Sequence, residues 1–369
     1  MNDSAEKNPF SSVKASKVIL PIIIGLGVVA FMFYREFGKL DERGVELGDV
    51  LSYLNLSWRT VVFMLAGFLL IFGRDIGYMI RIRILTDKKL SWRQAFRVII
   101  LWEFTSAVTP SAIGGTSIAV LFLNKEGISL GRSTSAVLVT SFLDELFFVI
   151  MFPLLILLVG GSSLFVMDSS GNIFNELFWF AIIGYSLKFL YTIIISYGLF
   201  INPRGLKWLL LQIFRIRFLK RWRQIINTAG TEIVDCSMEL KDKPFSYWFK
   251  SFGATFLAWT SRYWIVNMIL LAFFIIPSLG EHFLIYARQL VMWVMQLIAP
   301  TPGGSGFAEY FFQRYLGEFI PVSDVALVGV IAIVLAFIWR MVSYYPYLIL
   351  GAFVVPKWIS NKFGKKNEI

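Results

Sequence analysis

Pro300-Thr301-Pro302-Gly303-Gly304-Ser305-Gly306-Phe307-Ala308 interrupts a long apolar stretch, and Thr109-Pro110-Ser111-Ala112-Ile113-Gly114-Gly115-Thr116-Ser117-Ile118-Ala119 does the same earlier in the chain. Proline removes a helical N–H donor and clashes with the preceding turn, so neither segment can be one continuous helix. Inside a bilayer, irregular backbone is tolerated only where protein or a water-filled cavity satisfies it. A pair of interrupted segments in corresponding positions of two halves is the sequence pointer to a transporter's binding site.

The flanking sequence sets these breaks in a membrane. The chain has 369 residues, 57% hydrophobic and 16% charged, and little of that length is left for a soluble domain. Six apolar segments read as full crossings: 18–34, 59–80, 133–160, 175–201, 248–276 and 323–355, the last long enough to tilt or kink near Pro346. Two more, 89–108 and 283–299, run into the breaks. Each break is followed by a short apolar stretch ending in polar residues, Asn124-Lys125-Glu126 and Gln313-Arg314. Each is expected to be a re-entrant hairpin, entering and leaving on one side.

Loop charge gives the orientation, because cytoplasmic connections collect Lys and Arg. With the N-terminal tail 1–17 inside, the loop 81–93 (Arg81, Arg83, Lys88, Lys89, Arg93), the segment 202–247 and the tail 356–369 also fall inside, and all are basic. The outer segments are acidic on balance (35–58) or free of Lys and Arg (161–174). Hairpins that cross fully would preserve this parity, so charge does not separate the two models; the short arms after each break favour re-entry. The net charge of +11 is therefore read as topology and attraction to anionic lipid, not as nucleic-acid binding. Within 202–247, residues 204–224 alternate basic and apolar side chains, as an interfacial helix does. The single Cys236 and single His282 leave no disulfide framework and no metal or cofactor cluster.

The two breaks match beyond their glycines. Residues 114–125 and 303–314 align small, apolar, amide and basic positions in the same order. Each half has a span carrying an arginine (Arg74 near one end, Arg262 within), then the hairpin, then a long span. Three crossings separate equivalent points, which inverts the second copy. Repeat 1 is about 59–160 and repeat 2 about 248–355, within one transmembrane domain at 18–355. Inverted repeats with broken helices are a transporter architecture.

Charged groups inside spans are costly and face a partner or a wet cavity. Arg340 and Arg262 could each hold a lipid phosphate; for Arg262 a structural role has the edge, and for Arg340 the site role, because Ser343, Tyr344 and Tyr345 continue its polar face. Glu103, two turns before the first break, and Glu309, just after the second, are site candidates. Asp144 and Glu145 point about 100° apart, so only one is expected to face the site; they either meet a proton or cationic head group, or pair with Arg262 or Arg340. Lys188 is expected to be structural, and Arg288 to reach the outer interface.

The motif Ala299-Pro300-Thr301-Pro302-Gly303-Gly304-Ser305-Gly306-Phe307-Ala308-Glu309 resembles that of the lysylphosphatidylglycerol synthase transmembrane family, the flippase-like domain, and Pro110…Gly114-Gly115 followed by a span with Asp144 is similar to its first motif. The likeness covers roughly 15–355. It implicates Pro110, Gly114, Gly115, Pro302, Gly303, Gly304, Gly306 and Glu309. It implies a protein that moves an anionic or aminoacylated phospholipid, or a polyprenyl-phosphate lipid, between leaflets of the inner membrane, or one that is a membrane-embedded partner or scaffold for a separate synthase or glycosyltransferase. Only a short basic tail follows Pro356, and Glu145 stands where many relatives are expected to have a basic residue. With no nucleophile–base or metal constellation, a membrane transferase is the less favoured reading. No nucleotide-binding motif is seen.

Overall fold

The computed structural model describes residues 46–109, 113–165, 172–216, 220, 223–276, 278–296 and 301–363, with isolated positions between 27 and 38. Among these, all regular structure is helical. Five stretches are long and apolar enough to cross a bilayer: Trp58–Leu85, Leu130–Val159, Ala181–Ile201, Phe245–Phe273 and Val325–Lys362. They correspond to five of the six expected crossings. The expected tail 1–17 and the first crossing at 18–34 lie almost wholly outside the described residues.

The helices are α1 (Leu47–Tyr53), α2 (Trp58–Leu85), α3 (Trp92–Val108), α4 (Ile113–Lys125), α5 (Leu130–Val159), α6 (Gly161–Phe165) and α7 (Asn172–Ser196), followed by α8 (Pro203–Ile213), α9 (Arg223–Leu240), α10 (Phe245–Phe273), α11 (Leu279–Gln296), α12 (Phe307–Leu316), α13 (Val325–Ser343) and α14 (Tyr345–Phe363). Local chemistry sets several ends. The Ser91 side chain caps α3 while Gln94 reaches back to the Ser91 N–H. The Asp324 carboxylate accepts from the N–H groups of Ala326 and Leu327 at the start of α13. The last crossing bends at Tyr344 (φ −124°, ψ −56°), two residues before Pro346, near where the proline was expected to kink it. Residues 356–363, expected as tail, continue α14.

The most extensive pairing is α2 along α10. Gly77 makes it close: a Cβ there would sit 2.8 Å from the Ala254 carbonyl and 2.9 Å from the Ala258 nitrogen. Small residues let membrane helices approach until their backbones touch. Two apolar clusters then form, one around each hairpin. One takes in Val98, Leu101, Phe104 and Leu123 of α3 and α4. The other takes in Ile285, Leu290, Phe312 and Leu316 of α11 and α12.

Both breaks are flanked by helices that pack on each other, α3 on α4 and α11 on α12. The polar end expected after α4 is not a surface end. Glu126 is 6% exposed and accepts from Arg97 and from the Trp358 indole, with Lys362 at 3.4 Å, so α14 is docked onto the first hairpin. Arg288 is 1% exposed and bonds the Tyr315 and Ser163 carbonyls and Glu318. The basic segment folds as α8 and α9, with Trp208, Leu209 and Ile213 exposed along α8. Burial pushes the thiol of Cys236, on α9, up to about 11, which keeps it protonated.

Candidate functional site at the meeting of the two hairpins

The end of α3 packs against the turn Pro302–Gly304, so the two hairpin tips meet. They close one side of a cavity of 520 Å³, to which the first hairpin contributes Ala107 and Thr109 and the second Thr301, Gly303 and Gly304. The volume falls in the range of small-molecule sites, about 300–1,000 Å³.

Within the second break, residues 301–306 form a run of turns. Gly303 sits at φ 58°, ψ 18°, and a Cβ on it would run into the Tyr344 ring. Arg340 of α13 donates to the Gly303 carbonyl (2.9 Å) and the Ser305 hydroxyl (3.0 Å), and its guanidinium stacks on Tyr344 (3.7 Å). Glu309 accepts from the Gly306 N–H (2.7 Å), capping α12, and lies 3.3 Å from Arg340. The Tyr344 hydroxyl donates to the Ala107 carbonyl (3.0 Å), tying this loop to the first hairpin. Arg340, Tyr344 and Glu309 thus satisfy the irregular backbone that the sequence places at depth.

Two expectations change here. Glu309 is fully buried and off the cavity wall, because the Gly306 amide and Arg340 hold its carboxylate. Gly114 and Gly115 are not in a non-helical break but in the first turn of α4. Pro110 lies outside the described residues, as do the side chains of Pro302 and Gln296.

Glu103, Asp144, Arg262, Arg340 and Tyr344 all line the cavity. Their partners differ from the expected ones. Glu103 pairs with Arg74 (2.5 Å), which is wholly buried behind it in mid-α2, not near the helix end, and stacks on Tyr347. Tyr347 in turn donates to Asp75 (2.7 Å). Asp144 pairs with Arg81 (2.5 Å) and accepts from the Trp259 indole (2.6 Å), so neither Arg262 nor Arg340 holds it. Glu145 also lines the cavity and pairs with Lys188 (2.6 Å), which reaches in from α7. Both adjacent carboxylates reach the wall because Arg81 draws one toward α2 and Lys188 the other toward α7.

Arg81, expected among the loop charges, lies within α2 and is 5% exposed. The available signal was spacing: Arg74, Tyr78 and Arg81 fall at i, i+4 and i+7, one face of a helix.

Arg262 is the exception on the wall. Its guanidinium lies over the rings of Trp259 (5.3 Å) and Trp293 (5.5 Å), and no carboxylate among the described residues is within ion-pairing distance. Arg81, Lys188 and Arg340 each have one.

A UPF0104 membrane protein of Archaeoglobus fulgidus is 24% identical over 359 residues, covering 94% of this chain and 99% of that protein. No solved structure matches. The family model described as lysylphosphatidylglycerol synthase TM region matches residues 18–351, and the chain belongs to that family.

Proposed function

We propose that the protein moves the polar head of a membrane amphiphile between leaflets while its tails stay in lipid. The observation that carries this reading is the charged 520 Å³ cavity at the meeting of two hairpin tips. A polar head crossing hydrocarbon loses its water; a wall of ion pairs, hydroxyls and backbone dipoles replaces it. The tails need not follow the head inside. Lys188 and Tyr191 of α7 line the cavity, whereas Leu187, Leu190 and Ile194 on the same helix are exposed and apolar. One helix, about 10–12 Å across, separates head from tail.

In this reading the hairpins are re-entrant. The second arms, α4 with 13 residues and α12 with 10, reach about 20 and 15 Å at 1.5 Å per residue, short of a hydrocarbon core of about 30 Å. With α5, α7 and α10 crossing between them, the first hairpin enters from the cytoplasm and the second from outside, as an inverted repeat does. Both termini are cytoplasmic, in the cell's inner membrane. The exposed apolar face of α8 lies on the anionic inner leaflet, where the exposed Arg204 meets lipid phosphates.

Reconstitution tests the reading. In liposomes carrying a head-labelled phospholipid, an impermeant quencher removes only the outer-leaflet signal. With the protein present, the inner-leaflet signal should also be lost, within minutes. If loss matches protein-free vesicles for anionic, zwitterionic and aminoacylated lipids alike, the reading is wrong.

A further inference from the structure

We infer that the cavity recognises a net-anionic, phosphate-bearing lipid head and that Arg262 is the residue that meets its phosphate. This rests on the reading of the cavity as a head-group site, and adds the class of substrate. An aminoacylated head adds an ammonium group, which in a dehydrated wall is best met by an uncommitted carboxylate. None is evident: Glu103 is held by Arg74, Asp144 by Arg81 and Trp259, and Glu145 by Lys188. The uncommitted charge is the cation.

Arg262 is also poised for an anion. The tryptophan faces that flank it leave its N–H fork without a protein acceptor among the described residues. A guanidinium in a partly dehydrated wall is costly until an anion completes it, and its planar donors match two phosphate oxygens. A second unfilled group lies on the same wall: the Thr140 hydroxyl, one turn before Asp144, is buried with no hydrogen-bond partner among the described residues. It can donate to a phosphate oxygen as well.

Isothermal titration of the full chain in detergent tests this with dioctanoyl phosphatidylglycerol, its lysyl ester, dioctanoylglycerol and inorganic phosphate. Wild type should bind phosphatidylglycerol at least tenfold more tightly than the lysyl ester, and dioctanoylglycerol not measurably. Arg262→Gln should lose at least tenfold for phosphatidylglycerol, and Arg262→Lys should keep part of it. Because the wild-type preference is read without any variant, a misfolded Arg262→Gln does not shelter the proposal. Equal or tighter binding of the lysyl ester overturns it, as does an unchanged affinity in folded Arg262→Gln. Inorganic phosphate competing at equal concentration overturns the lipid assignment and makes the ligand a free phosphate. Selective binding with no movement in liposomes refutes translocation and leaves this inference standing; faster movement of the lysyl lipid does the reverse.

Discussion

Two arginines reach the same cavity and do opposite things. Arg340 is spent on the protein: two hydrogen bonds to the second break, an ion pair with Glu309 and a stack on Tyr344. Arg262 lies over the faces of two tryptophans, with no hydrogen-bond acceptor or ion-pairing carboxylate among the described residues. The lesson is that an intramembrane charge divides by what already satisfies it. A guanidinium committed to backbone holds architecture, and one left over is free for a ligand.

The largest expected effect is at the committed pair. Glu309→Ala leaves Arg340 buried without its carboxylate and removes the cap of α12, so stability should fall by about 3–5 kcal/mol. Thermal unfolding in detergent checks this, and a shift no larger than that of an exposed-surface variant would dissolve the contrast between the two arginines. Gly303→Ala comes next. It puts a side chain in the left-handed region and against Tyr344, at about 1–3 kcal/mol, visible as a lower unfolding temperature and poorer yield. Lys188→Met strands Glu145, whose side chain is 21% exposed, at about 1–2 kcal/mol because cavity water shields it. The double change Lys188→Met with Glu145→Leu should recover most of that loss, since an apolar pair needs no partner. The smallest stability effect is Arg262→Gln, about 0.5–1 kcal/mol from lost cation–π contact. A loss as large as that of Glu309→Ala would make Arg262 structural.

The same contrast explains what was legible in the sequence. Hydropathy located five of the crossings, and Pro/Gly chemistry located both breaks and the bend beside Pro346, because these are local properties of a stretch of chain. Glu103, Asp144, Arg262, Arg340 and Tyr344 could be named as cavity residues because charged and polar groups in apolar spans are rare. Their partners could not. Arg81 and Asp144 are 63 positions apart, and Lys188 and Glu145 are 43 apart; nothing local couples them. The 100° rule for Asp144 and Glu145 failed because long partner side chains on α2 and α7 extend the wall around α5. Arg340 and Arg262 both line the cavity, but the acceptors of Arg340 are backbone and hydroxyl groups of a loop whose conformation sequence does not reveal.

The central claim is that the cavity is the path of a lipid head. Ser141 lines it, and Ser141→Trp should obstruct it. Translocation of labelled phosphatidylglycerol in proteoliposomes, compared between wild type and Ser141→Trp of matched unfolding temperature, is the most direct test. The variant should fall to the rate of protein-free vesicles. A variant as fast as wild type would contradict the claim.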